Sequence, residues 1–300
     1  MSNIITIIFR LTLSCLVAGL IMGLTFVFTN KAKKENEHAR EAKVMYELLG
    51  YSDANPSPET MGLHEIFRYV VSEDDKQTIG YLLPAGKHDE AVSSFTFVRI
   101  DLDGNFVDNT AVQLSHEKVR ESKDRDAAIT TSLGTGKAIR FADQTVVVTD
   151  QGKRKAFLLS GKFPGFKTHI AVILALDPTY AILGLEVMEH EEDPGLGGEI
   201  EQKYFKNQFK QKPFEKIKTI EVVKKPLPGE YYDALEGRID ETAAADIMKQ
   251  YRDKDIYALT GATISSAAVS NGVKAMSKKF AYRFDILDNV LKDQQIGVPF

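Results

Sequence analysis

The chain opens on an unbroken apolar run. From Leu11 to Thr29 no residue carries a charge, and at about 1.5 Å of helical rise per residue this stretch matches a hydrocarbon core of about 30 Å. A single N-terminal transmembrane helix is expected, with 1–30 as a membrane anchor contacting lipid through 11–29. A cleaved signal peptide would show a shorter apolar region followed by small residues at a cleavage site. A lipoprotein signal ending at Cys15 would not need the apolar run that continues beyond it. Residues 31–50 then read as a helix, with Val44, Leu48 and Tyr51 on one face and Gly50 near its stop. Asn55-Pro56-Ser57-Pro58 breaks the chain.

From His64 the period shortens to that of strands. Ile66–Val71 and Thr78–Leu83 flank an acidic turn, and Phe95–Ile100 and Phe106-Val107 flank Asp101-Leu102-Asp103-Gly104-Asn105; both are hairpin signals. Residues 115–128 are highly charged and read as a solvent-exposed helix, and 144–149 and 155–160 as strands. Ile170–Leu176 is a continuous apolar run suited to a buried strand. It ends at Asp177-Pro178, across which Ile182–Met188 is expected to pair with it. Strands and helices come in blocks rather than in βαβ alternation. The fold class is therefore α+β, a largely antiparallel sheet with flanking helices preceded by the one transmembrane helix.

Charge narrows the function classes. With 38 Lys and Arg against 42 Asp and Glu the net charge is −4, and no basic block marks a nucleic-acid footprint. One cysteine excludes an intrachain disulfide, a cysteine zinc site, an iron–sulfur cluster and c-type haem attachment. No Gly-x-Gly-x-x-Gly follows a strand, so no nicotinamide site is evident.

Two segments carry candidate chemistry. The first is His190-Glu191-Glu192-Asp193-Pro194-Gly195-Leu196-Gly197-Gly198-Glu199, whose glycines would let the backbone approach a flat or phosphorylated ligand. On composition it reads equally as an acidic surface turn, with His190 a hydrogen-bonding residue rather than a metal ligand; no metal site is expected. The second is Thr260-Gly261-Ala262-Thr263-Ile264-Ser265-Ser266. Ser265 or Ser266 can cap a following helix whose apolar face is Val269, Val273, Met276 and Phe280. Thr263 would then lie just before a helix N-terminus, where free N–H groups favour a phosphate, with Gly261 and Ala262 leaving room. An ordinary capped helix start explains the same residues. A hydrolase using Thr263 or His190 is a further reading, but no neighbouring base is evident to activate the threonine, and no catalytic residue is assigned.

Taken in this order behind an anchor, the two segments resemble the FMN-binding subunit family of the Rnf and Nqr respiratory complexes. That family carries a His-x-Glu-Thr-Pro-Gly-Leu-Gly loop, matched by His190, Glu192, Pro194, Gly195, Leu196 and Gly197. It also carries a Ser-Gly-Ala-Thr-x-Thr-Ser element, matched by Gly261, Ala262, Thr263 and Ser266, with Ser265 a close substitute and Thr260 in place of the serine. Tyr204–Lys210 is similar to the aromatic and basic stretch between them. The resemblance covers about residues 165–280. It implies FMN joined through its phosphate to Thr263 by a separate flavin transferase, and an electron-relay subunit working among other subunits of a membrane complex that moves ions. It implies a bacterial inner-membrane location with the soluble part on the periplasmic side, whereas the lysines after the span, taken alone, would place that part in the cytoplasm. The domains expected are 31–160, an α+β region with a docking insertion around 85–160; 161–284, the FMN-binding domain; and a tail, 285–300. The alternative is a membrane-anchored non-redox module of the same fold, with noncovalent flavin or none. Two departures stand out. Tyr257 replaces an expected aspartate, leaving Asp255 as the nearest acid, and Asp193 replaces the loop threonine, where its charge would lower the flavin potential.

Overall fold

A computed structural model describes residues 2–86 and 94–300; residues 87–93, inside the stretch to which the sequence assigned no chemistry, lie outside the described residues. Residues 1–47 and 48–300 are separate compact units. The first is most of α1 (Ser2–Leu48), one continuous helix. Within it Ile4–Phe26, of mean hydropathy 2.3, is long and apolar enough to cross a membrane, so the apolar span begins ahead of Leu11 and takes in Arg10. Beyond it Lys33 meets Glu37 at 3.6 Å and Lys43 meets Glu47 at 3.9 Å. These are exposed pairs one helical turn apart, of the solvated i,i+4 kind.

In the second unit an eight-stranded sheet forms in the order β4-β3-β2-β1-β5-β6-β7-β8, every neighbouring pair antiparallel. The strands are β1 (Met61–Glu73), β2 (Lys76–Pro84), β3 (Phe95–Ile100), β4 (Phe106–Val112), β5 (Lys137–Asp150), β6 (Lys153–Pro164), β7 (His169–Leu176) and β8 (Ile182–Glu189). α2 (His116–Arg120) and α3 (Ser122–Leu133) join β4 to β5. The two hairpin turns behave as their residues dictate. Asp101 Oδ1 accepts the N–H groups of Asp103 and Asn105 at 3.0 and 2.7 Å, and Asp177 Oδ1 accepts those of Thr179 and Ala181 at 2.7 and 3.0 Å. After β8 come α4 (Lys203–Lys206), α5 (Phe214–Thr219), β9 (Val222–Val223), α6 (Gly229–Glu236), α7 (Glu241–Tyr251), β10 (Ile256–Tyr257) and α8 (Thr263–Asp293).

Strand alternation builds two cores on the two faces of the sheet. Ile66, Tyr81, Leu83, Phe157, Leu159, Val172 and Leu174 pack with Val269, Val273, Phe284 and Leu287 of α8. The residues that alternate with this face, Phe67, Leu82, Phe95 and Phe97, pack instead with Val119 of α2 and Ile129 and Leu133 of α3. Residues 115–128 are therefore not one solvated helix. They are parts of two helices that bury Val119 and Arg125, the charged pattern having masked a narrow apolar edge. The Arg125 guanidinium lies 4.2 Å from the centre of the Phe67 ring and donates to Tyr69 Oη at 2.6 Å and Val119 O at 2.7 Å. So the region around 95–150 is sheet and second core.

The boundaries drawn at 160 and 284 fall inside β6 and α8. Ile296, Val298 and Phe300 of the tail pack against the larger core. Gly80 is required by close approach. A Cβ on Gly80 would overlap the ring of Phe97, which is fully buried. Gly80→Ala is expected to destabilise the chain by about 1–3 kcal/mol through overpacking, read as a lower thermal melting temperature; an unchanged melt would rule out this packing.

Candidate functional site

The segment at 190–199 leaves the end of β8, and Thr263 is the first residue of α8. The fold brings the two together. Gly261, at φ +76°, has its Cα so close to Leu196 that a Cβ there would stand 3.1 Å from Leu196 Cδ2. A second link runs beneath the surface, where Glu192 Oε2 accepts the hydroxyl of Ser265. Glu192 Oε1 accepts the N–H groups of Phe166 and Lys167 at 2.7 and 3.1 Å, which brings the turn between β6 and β7 to the same place. Thr263 is half-buried and Thr260 exposed. Three apolar side chains of the converging segments are exposed: Phe166 at 59%, Leu196 at 47% and Ile264 at 60%.

The predicted residues separate into two groups. Thr260, Gly261, Pro194, Gly195 and Leu196 are exposed and Thr263 half-exposed. Glu192, Gly197, Ala262 and Ser266 are buried. The glycines of the loop divide the same way. Gly195 takes φ +74° in a turn closed by N–H bonds from Leu196 and Gly198 to Asp193 O, at 3.1 and 2.9 Å. The space at Gly197 is not left for a ligand, because a Cβ there would lie 2.6 Å from Ser265 Oγ and 2.8 Å from Glu192 Oε2. His190 Nδ1 accepts the N–H of Glu192 at 3.0 Å, and its Nε2 lies 2.9 Å from Glu201.

Neither serine caps α8. Ser265 and Ser266 lie inside the first turn and point inward; Ser266 Oγ accepts the N–H of Leu259 at 3.0 Å and donates to Ala262 O at 2.9 Å. The residue at the cap position is Ala262, which offers no side-chain acceptor. α7, by contrast, is capped by Asp240 Oδ1 at 3.1 and 3.0 Å from the N–H groups of Thr242 and Ala243. A helix of 31 residues thus begins at Thr263 without a capping side chain, which leaves its first N–H groups and positive dipole end for an anion.

The two departures acquire partners. Asp255 pairs with Lys216 at 2.6 Å and accepts the N–H of Glu221 at 3.0 Å. Burial pushes its carboxyl up, but these two donors outweigh burial and hold it below the usual range. Tyr257 lies in β10, its backbone paired with the buried side-chain amide of Gln208, N–H to Oε1 at 2.7 Å and Nε2 to O at 3.2 Å. Gln208 thus acts as one more strand residue and fixes the approach to Thr260. Phe205 and Phe209 of the same stretch are core residues. Asp193 forms an ion pair with Lys167, whose ammonium is held above its usual pKa chiefly by that carboxylate. The charge expected to lower a flavin potential is therefore offset by a cation. Sequence reasoning missed Gly165, Phe166 and Lys167. Their only signal was the Pro164-Gly165 turn, whose meeting with the loop depends on sheet register.

Comparison with known proteins places residues 165–278 in the family described as FMN-binding domain. A component of the proton-translocating ferredoxin:NAD(+) oxidoreductase complex of Clostridium ljungdahlii is 29% identical over 122 residues, 41% of this chain and 51% of that protein. A component of the ion-translocating oxidoreductase complex of Pasteurella multocida is 35% identical over 60 residues, 20% of this chain and 30% of that one. The chain thus spans about half the length of the first relative and under a third of the second. Among solved structures, NqrC of Shewanella oneidensis aligns with a TM-score of 0.41 and 20% identity, over 66% of this chain and 85% of that one. A component of the Na(+)-translocating NADH-quinone reductase of Parabacteroides distasonis aligns at 0.35 and 17%, over 64% and 76%. The loop, the helix start and the segment matched by the FMN-binding domain model, 165–278, thus coincide in one place.

Proposed function

We propose that this chain is an electron-transfer flavoprotein subunit of a membrane ion-translocating oxidoreductase complex, carrying FMN through a phosphodiester to Thr263. The observation that carries the reading is the convergence at Thr263: a half-buried threonine opens a long helix with no capping side chain, against a loop bearing exposed Leu196. A phosphate there would meet the first N–H groups of α8. Phe166, Leu196 and Ile264 offer apolar surface for a flat ring. These features fit the group.

Attachment would proceed by substitution at phosphorus. Thr263 Oγ1 bonds to the flavin-side phosphorus of FAD, the pyrophosphate P–O bond breaks and AMP leaves, with the hydroxyl proton taken by a base of a separate flavin transferase. When bound, FMN supplies one- and two-electron chemistry, and this chain supplies position and electrostatics. The N-terminal span is read as the membrane anchor, with the flavin domain on the periplasmic side of a bacterial inner membrane. Other subunits of the complex are read as its electron-transfer partners. The names of the Clostridium and Pasteurella relatives, both components of oxidoreductase complexes, support this assignment.

The test is direct. The full chain, coexpressed with a flavin transferase, is run on a denaturing gel and illuminated for flavin fluorescence. A fluorescent band is expected; a dark band of intact protein overturns the covalent reading. Protease accessibility on cells is expected to show the second unit exposed outside the cytoplasm, and protection there would reverse the orientation.

A further inference from the structure

We propose that Glu192 and Ser265 form the positioning pair that aims the Thr263 hydroxyl for flavin attachment, neither of them touching the flavin; the inference rests on the reading of Thr263 as acceptor. Glu192 is only 5% exposed, although its loop neighbours Glu191, Pro194 and Gly195 are exposed. Its carboxylate takes up three donors: the N–H groups of Phe166 and Lys167 on Oε1, and the Ser265 hydroxyl on Oε2. One carboxylate therefore ties the β6–β7 turn and the 190–197 loop to the first turn of α8.

The surrounding backbone is cleared for it. A Cβ on Gly165 would stand 2.5 Å from Glu192 Oε1, and one on Gly197 2.8 Å from Oε2 and 2.6 Å from Ser265 Oγ. Two glycines that look like room for a ligand are room for this clamp. A carboxylate so enclosed, its oxygens already bonded, has no free face for a cofactor. Exposed beside a helix N-terminus it would instead compete with a phosphate for the same N–H groups.

Ser265 stands two residues after Thr263 in the same helical turn. Holding Ser265 inward fixes the rotation of that turn about its axis, and so the direction in which Thr263 faces. Bonds to an ionised acceptor are about twice as strong as neutral ones, which suits a contact that must hold the azimuth of a helix start.

The experiment coexpresses full-length variants with a flavin transferase and reads covalent flavin per chain against time, beside the melting temperature of the unloaded chain. Ser265→Ala is expected to slow loading per folded chain by at least about 10-fold, the scale set by misplacing a reacting group, at temperatures below the melt of the unloaded chain, which loss of a bond to a buried carboxylate lowers. Ser265→Thr is expected to load at the wild-type rate. Glu192→Gln keeps the volume but turns an amide toward Ser265, and it is expected to load slowly as well. It decides the matter should Ser265→Ala not fold. Wild-type loading rates in Ser265→Ala and Glu192→Gln would overturn the clamp while leaving Thr263 as acceptor. No loading of wild type, or fluorescence undiminished in Thr263→Ala, removes the premise and the clamp with it.

Discussion

Thr263→Ala is expected to abolish all flavin that survives denaturation, while Thr260→Ala, prepared in the same way, keeps it. The two threonines differ in place, not in chemistry. Thr260 is exposed and precedes the left-handed Gly261, whereas Thr263 is half-buried and is the first residue of α8. Only a phosphate on the latter would lie at the uncapped N–H groups. Alanine is an excellent helix former and, among the described residues, the Thr263 hydroxyl holds no other side chain in place, so the variant should fold with stability within about 0.5 kcal/mol of wild type. Loss of fluorescence then reports loss of the acceptor and not of the fold. Thr263→Ser keeps a hydroxyl and is expected to retain flavin. A fluorescent Thr263→Ala band with a dark Thr260→Ala band would move the attachment to Thr260.

How much of this was legible in the sequence depended on range. The hairpin strands around Asp101 and Asp177 and the apolar run of β7 followed from turn chemistry and period alone. So did the existence of α8, because Val269, Val273, Met276 and Phe280 keep helical spacing, although it starts at Thr263, ahead of the serines expected to cap it. The tail was misjudged there because Phe284, Leu287 and Leu291 continue that apolar face past 284. α3 was misread because a buried arginine carries a charge that a pattern scores as solvent-facing, while its partners Tyr69 and Phe67 are more than fifty residues away. At the site the residue types were visible and their roles were not. Glu192 and Gly197 read as ligand contacts by residue type; the backbone donors to Glu192 come from the turn at 165–168, which reaches it only through the β6–β7–β8 register. Asp193 looked uncompensated because Lys167 comes from the same distant turn.

The same distance hides Lys212, and Lys212→Met is expected to destabilise the chain by about 3 kcal/mol, the cost of stripping a buried charged donor from its acceptors. Lys212 is 1% exposed. Its ammonium donates to Tyr251 O at 3.2 Å, Arg252 O at 3.3 Å and Lys254 O at 2.5 Å, closing the C-terminal end of α7, where carbonyls lack helical partners and a cation is favoured. Methionine fills the volume but leaves those carbonyls without the ammonium. Burial, with Lys216 adding repulsion, draws the Lys212 pKa down to about 8 from 10.5, against the pull of Asp255 and Asp253. The folded chain therefore gives up this proton before the unfolded chain does, and over that interval the unfolded state binds more protons, so stability from this group rises with pH. Between about pH 8 and 10 the wild type is expected to gain stability relative to Lys212→Met; parallel pH profiles, or equal melting temperatures at pH 7, would sink the assignment. The effect should reach the flavin site. The carbonyls held by Lys212 end at Lys254, the next residue is the Asp255 that pairs with Lys216, and β10 and Thr260 follow directly. Freeing that corner lets β10 shift against Gln208, and covalent flavin per chain is expected to fall in Lys212→Met, whereas Gly80→Ala, in the distant second core, should lower the melting temperature without changing loading of the chains that remain folded.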